Sequence, residues 1–143
     1  MDDSAVGVSA LRTMPLLASV TQQDLENITK LGRLRSFEPG QSIVERGEPA
    51  DALYIVMRGT AGVEVGGRHH TLRPGDFVGE MALVVGGSRT ATVKAEDRVS
   101  VLRIGAQEFQ GFLLQQPRVA VAMLRSMVER LHEVQERIEA WSA

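Results

Sequence analysis

Between Arg33 and Ile104, turn-forming residues return roughly every ten positions, and few folds accept that rhythm. The breaks are Pro39-Gly40, Gly47-Glu48-Pro49, Gly59, Gly66-Gly67, Pro74-Gly75-Asp76 and Gly86-Gly87. Segments this short cannot hold helices of useful length, but they suit short antiparallel strands. Candidate strands are Leu34–Phe37, Ser42–Val44, Leu53–Arg58, Ala61–Val65, Arg68–Leu72, Ala91–Ala95 and Ser100–Ile104. Leu53-Tyr54-Ile55-Val56-Met57 is apolar throughout rather than alternating, which predicts a strand buried on both faces. The expected fold class is mainly β: a short-stranded antiparallel β-roll or jelly-roll barrel with flanking helices.

Helical patterns lie on either side. Thr21 has the chemistry of an N-cap, with Asp24 at N3 and then Leu25, Ile28 and Leu31 at helical spacing. After Ile104 come a short helix over Gln107–Leu114 and a long one from Pro117, with proline in its first turn, to Trp141. Along the long helix Ala120, Leu124, Met127, Leu131, Val134, Ile138 and Trp141 recur at alternating spacings of four and three, a heptad seam. The seam suits a helix lying on the roll or a homodimer contact, and both hold if the first half packs inward and the second on a partner. Residues 1–10 are small and polar and read as a loose, flexible N-terminus. The expected organisation is one domain over 11–143, with the β-roll over about 33–104 and C-terminal helices over about 107–141.

Composition excludes several functions. The 143 residues suffice for one domain with its own core. Sixteen Lys and Arg against eighteen Asp and Glu give a net charge of −2, so no broad basic footprint for nucleic acid exists. The absence of cysteine removes disulfides, thiolate nucleophiles and cysteine metal sites. No apolar run approaches the length of a membrane span, and the acidic start MDDSAVGVSALRT lacks the basic and apolar regions of a secretory signal. The expected location is the cytoplasm. Neighbouring His69 and His70 would point to opposite faces of a strand and cannot share one metal, and His132 falls on the long helix. No G-x-S-x-G nucleophile motif is present. No catalytic residues, metal or cofactor are expected, and the chain does not read as an enzyme.

The chemistry concentrates in GEMALVVGGSRTATV, residues 79–93. Gly79 frees the backbone to turn and to approach a ligand. The residues after it can make a turn whose first N–H groups are donors for an anion. Arg89 returns nine residues after Glu80, and a guanidinium is well shaped to grip phosphate oxygens. An ionised Glu80 only accepts hydrogen bonds, which suits sugar hydroxyls. A plain Glu80–Arg89 ion pair closing a loop would satisfy the same residues. The small or hydroxylic Ser88, Thr90, Ala91 and Thr92 favour a strand lining a pocket instead.

The string PGDFVGEMAL…SRTATVKA resembles the phosphate-binding cassette of cyclic-nucleotide-binding domains. These occur in catabolite activator proteins, regulatory subunits of cAMP-dependent protein kinase and cyclic-nucleotide-gated channels. FEPGQSIVERGEPADALYIVMRGTAGV is similar to the family's opening strands, and LRTMPLLASVTQQDL to its N-terminal helices. The resemblance implies that Glu80 accepts the ribose 2′-hydroxyl and Arg89 binds the cyclic phosphate. Backbone N–H groups around Met81, Ala82 and Thr90 complete the cradle that Gly79 shapes, with Ser88 beside it. The base would lie against Val63, Val65 and Leu72 and under the long helix. There Val134 and Gln135 stand where bacterial activators offer hydroxyls; Gln135 is the candidate to read a base edge, and Trp141 is a candidate lid. The implied ligand is cAMP, with cGMP as the other candidate, and the implied function is an allosteric sensor whose C-terminal helix closes on the base. The alternative is a nucleotide-free member of the fold serving dimerisation or protein interaction. The expected partners are a cyclic nucleotide and a second copy through the C-terminal helix, with no direct nucleic-acid contact. The family often carries a helix-turn-helix after the long helix; none is expected here, so the chain reads as a stand-alone module or part of a larger protein.

Overall fold

The apolar run predicted to be buried on both faces is the strand around which the molecule is built. A computed structural model describes residues 3–142, with the side chains of Trp141 and Ser142 outside the description. Eight strands are present among the described residues: β1 (Arg33–Phe37), β2 (Ser42–Val44), β3 (Ala52–Arg58), β4 (Ala61–Val65), β5 (Arg68–Leu72), β6 (Phe77–Val78), β7 (Val93–Ala95) and β8 (Val99–Gly105). All pairings are antiparallel and fall into two four-stranded sheets, ordered β1-β8-β3-β6 and β2-β7-β4-β5. The hydrogen bonding does not close into a barrel; each sheet keeps two edges.

Every residue of β3 from Ala52 to Met57 is buried. Side chains alternate along a strand, so the run serves two cores. Leu53, Ile55 and Met57 join the helical layer with Leu11, Met14, Leu25, Ile104 and Phe109. Ala52, Tyr54 and Val56 face between the sheets, against Val44, Ala61, Val93, Ala95 and Val101. The two-residue β6 was not visible as a strand in the sequence, since Phe77-Val78 is too short for a periodic signal. It pairs Tyr54 with Val78 and Ile55 with Phe77, and so fixes the start of the glycine-led turn that follows.

Four helices flank the sheets: α1 (Asp3–Arg12), α2 (Gln22–Thr29), α3 (Ala106–Gln115) and α4 (Pro117–Ser142), with a 3-10 turn at Pro15–Leu17 between the first two. Residues 3–10, whose composition reads as loose, instead form most of α1. Gly7, Val8 and Ala10 are buried, because small residues on this face let the helix sit close to its neighbours. Gly7 has no room to spare: a Cβ there would lie 3.0 Å from the Thr29 methyl. Thr21 caps α2 as expected, its hydroxyl accepting from the Asp24 N–H at 3.2 Å.

The heptad seam on α4 needs correction. Val119, Met123 and Ser126 are the buried row, and they pack towards the Pro15–Leu17 turn. The Ser126 hydroxyl accepts from the Ser19 N–H at 2.9 Å. This row is offset from the predicted one. Ala120 and Met127 are only half-buried, and Leu124, Leu131, Val134 and Ile138 are exposed. With Val121 and Val128 they form an apolar stripe turned away from the body. From Val128 to Ala140 every described residue is exposed. Trp141, assigned both to the seam and to a lid, lies outside the described side chains.

Candidate functional site

The site forms where the chain leaves β6 and comes back. Gly79 stands in the left-handed region, at φ 90° and ψ 29°. That conformation costs an L-residue about 1–2 kcal/mol. Gly79 starts a 3-10 turn over Glu80–Leu83, closed by the Ala82 N–H donating to the Gly79 carbonyl at 2.9 Å. The chain reverses through Gly86-Gly87 and returns alongside residues 47–50. The Ala50 N–H donates to the Gly87 carbonyl, the Arg89 N–H to the Glu48 carbonyl, and the Gly47 N–H to the Arg89 carbonyl, at 2.7, 2.8 and 2.9 Å. These bonds bring Arg89 back beneath Gly79.

Arg89 is one of the few buried charged residues, at 8% exposure. Its Nη2 donates to the Ala52 carbonyl at 2.7 Å, and its Cζ lies 5.5 Å from the centroid of the Tyr54 ring. Its ion-pair partner is Asp51, at 3.9 Å, whose other oxygen lies 3.6 Å from Arg103 on β8. Arg103 also donates to the Tyr54 hydroxyl at 3.3 Å. A Cβ on Gly79 would fall 2.5 Å from the Arg89 Nη1, so glycine is required for the guanidinium to sit there.

Glu80 does not pair with Arg89. Among the described residues its carboxylate accepts from the Leu16 backbone N–H, at 3.2 Å across 64 positions of sequence. The loop-closing ion pair that the sequence allowed is therefore not how either residue is used. Both line one cavity of about 550 Å³, whose walls are Val44, Val63, Val65, Val78, Ala91 and Val93. Its polar lining side chains are Glu80, Ser88, Arg89 and Thr90, and most of the remaining lining is apolar. A ligand that combines an anionic group and hydroxyls with a flat apolar part matches that mixed lining.

Of the residues singled out in the sequence, the structure brings together Gly79, Glu80, Met81, Ala82, Ser88, Arg89, Thr90 and Val65 around this cavity. The Ala82 N–H is engaged by Gly79, so it does not act as an open donor in this arrangement. Leu72 is absent from the lining; it packs half-buried against the core between the sheets, because its partner across the β4–β5 ladder is the inward-facing Ala61. Gln135 is exposed on the distal part of α4, away from the cavity. Asp51, Tyr54 and the Leu16 N–H were missed. They meet the site only through pairings distant in sequence, up to 64 positions apart, which local pattern does not encode. His69 took a different place from a metal ligand: its ring bridges Glu64 (2.8 Å) and Glu96 (3.2 Å) on the outside of the second sheet. Those hydrogen bonds, Glu64 first, raise its pKa above the ordinary value of 6.5. Among the described residues no group of three or more His, Asp or Glu is placed to hold a metal ion, and no helix is long and apolar enough to cross a membrane.

The two-sheet roll with its glycine-led turn over a buried arginine can be set beside known proteins, and that comparison gives the family. The family description "Cyclic nucleotide-binding domain" matches residues 34–116. A cyclic nucleotide-gated potassium channel of Mesorhizobium japonicum is 33% identical over 117 residues, 82% of this chain and 33% of the channel. A cAMP-dependent protein kinase regulatory subunit of Colletotrichum orbiculare is 30% identical over 106 residues, 72% of this chain and 27% of the subunit. Among solved structures, the N-terminal domain of a transcriptional regulator from Streptomyces coelicolor superposes with a TM-score of 0.76 at 28% identity, covering 89% of this chain and 95% of that one. The chain belongs to the cyclic nucleotide-binding domain family, which is typically regulatory rather than catalytic. It spans about a third or less of the length of these two curated relatives.

Proposed function

We propose that this chain binds cAMP in the cavity beneath the Gly79 turn and acts as an allosteric sensor. The observation that carries the reading is a buried Arg89 and a Glu80 carboxylate lining one cavity whose other walls are mostly apolar. In this reading the cyclic phosphate lies on Arg89, and Glu80 accepts the ribose 2′-hydroxyl. The base lies against Val63 and Val65, which β4 presents to the cavity. In this reading the Thr90 hydroxyl, on a residue lining the cavity, donates to the phosphate or to a base edge, and cGMP is the competing ligand.

The route to an output runs through Glu80. Its Leu16 contact belongs to the Pro15–Leu17 turn, and α4 packs on that turn with the Ser19–Ser126 hydrogen bond beside it. A ribose hydroxyl on the same carboxylate changes the balance of that contact. Ligand thereby biases α4 by as much as it binds one arrangement better than the other, about tenfold for each ~1.4 kcal/mol. The apolar stripe from Val121 to Ile138 is then the surface that reports, by pairing with a second copy.

Calorimetric titration with cAMP and with cGMP tests the binding. A micromolar or tighter affinity for cAMP, lost in Arg89→Ala with melting still cooperative, is expected. Absence of binding by either nucleotide, or unchanged affinity in Arg89→Ala, refutes the assignment.

A further inference from the structure

Asp51 pairs with the buried arginine, and no motif in the chain draws attention to it. The charges around the cavity stand in a series. Among the described residues, Glu80 and Arg89 are the one carboxylate and the one cation lining it. Asp51, which is not among the lining residues, is 3.9 Å from Arg89, and Arg103 is 3.6 Å from Asp51 in turn. Arg89 thus offers less than a full positive charge to anything in the cavity. Asp51 takes part of its field, and the Ala52 carbonyl takes one of its nitrogens. Among the described residues no second lysine or arginine lines the walls to make up the difference.

We propose that Asp51 sets the charge selectivity of this site, so that a singly charged phosphodiester is accepted and a doubly charged phosphomonoester is disfavoured. The inference rests on the reading that Arg89 receives the phosphate. A phosphomonoester has a second ionisation near about 6 and is largely a dianion at neutral pH. Its extra charge gains little from an arginine already shared with Asp51, and it meets repulsion from both Glu80 and Asp51. A cyclic diester carries one charge and is matched by the net cation left on Arg89. Arg103 adjusts the setting from outside: by drawing on Asp51 it limits how far Asp51 neutralises Arg89. The Asp51 side chain is largely exposed, at 66%, and solvent therefore screens its field. Removing its charge should strengthen binding by about threefold per unit of ligand charge.

The test is competitive displacement of a fluorescent cAMP analogue by cAMP and by adenosine 5′-monophosphate, on the full chain and on Asp51→Asn and Arg103→Met, at low and high salt. For Asp51→Asn, cAMP should tighten about threefold and the monophosphate about tenfold, so that the preference for the cyclic ligand falls about threefold. The change should shrink at high salt. Arg103→Met should move the preference the other way. Thermal melting verifies that each variant is folded. If the unaltered chain does not bind cAMP, the functional reading fails and this inference with it. If cAMP binds but the ratio is unchanged in Asp51→Asn, or both ligands weaken together, or the monophosphate displaces nothing from either protein, the charge assignment alone is overturned.

Discussion

Replacing Gly79 by alanine tests the link between backbone conformation and the seating of Arg89, the arginine proposed to take the phosphate. Two costs are built into the position. The first is the left-handed backbone, at φ 90°. For any L-residue it amounts to about 1–2 kcal/mol. The second is contact. The new Cβ would lie 2.5 Å from the Arg89 Nη1 and 2.7 Å from the Ala52 carbonyl oxygen. The carbonyl belongs to the central strand β3 and cannot withdraw cheaply, so the guanidinium must move. It would lose its bond to the Ala52 carbonyl, 2.7 Å long. A charge-assisted hydrogen bond of this kind is worth about 1.5–3 kcal/mol. Gly40 separates the two costs. It has nearly the same backbone angle, φ 87°, with nothing within 4 Å of its Cβ position. Gly40→Ala should therefore show the backbone cost alone. Gly79→Ala should be less stable than that control by about 1.5–3 kcal/mol, or roughly 5–10 °C in melting temperature. Its cAMP affinity should fall roughly 10- to 100-fold while that of Gly40→Ala stays at the starting value. Melting curves and calorimetry on the two variants read both quantities. Equal melting shifts with unchanged nucleotide affinity would refute the account of how Arg89 is seated.

Three other expectations follow from contacts away from the cavity. Asp24 is buried and held below its ordinary carboxylate pKa, first by the Arg118 guanidinium and then by Thr21, against the opposing effect of burial. A depressed folded-state pKa gives stability that is present above the unfolded value of 3.8 and lost as pH falls through the folded one. Asp24→Asn should therefore lower the melting temperature at pH 7, with the gap closing towards pH 3. His69 has the opposite sign: its raised pKa gives stability present below 6.5 and lost as pH rises through the folded value. Melting of His69→Gln should fall short of the parent at pH 6 and match it at pH 9; a gap that widens with pH would contradict the Glu64–His69–Glu96 bridge. The proposed pairing of two copies predicts a dimer of the full chain by sedimentation equilibrium, weakened by truncation after Arg130, which removes Leu131, Val134 and Ile138 from the exposed stripe; a monomeric full chain or undiminished dimerisation would overturn it.

The fold was legible wherever a local signal sufficed. Ser42–Val44, Ala61–Val65 and Arg68–Leu72 have the boundaries predicted, because glycine- and proline-led turns bracket them. The buried character of β3 followed from its unbroken apolar run. Residues 3–10 were misread because small and polar residues pointed to a loop, although the smallness of Gly7 and Ala10 is what admits α1 against its neighbours. The register of α4 failed for a related reason: two rows lie one residue apart, and only the position of the Pro15–Leu17 turn selects Val119, Met123 and Ser126 as the inner one. In the site, the composition of the cassette pointed to Glu80 and Arg89. What stands behind each of them, the Leu16 N–H and Asp51, depends on chain crossings that only the assembled fold supplies.

The Leu16–Glu80 hydrogen bond bears on where the domain can be cut. The family match begins at residue 34, and a fragment started there would keep every side chain lining the cavity. It would nonetheless lack the amide that fixes one oxygen of Glu80, and the turn on which α4 rests. Such a fragment would possess the whole recipe for a ligand while missing one of its hinges. The boundary of the binding unit is drawn by a backbone amide outside the matched region, well ahead of the first strand.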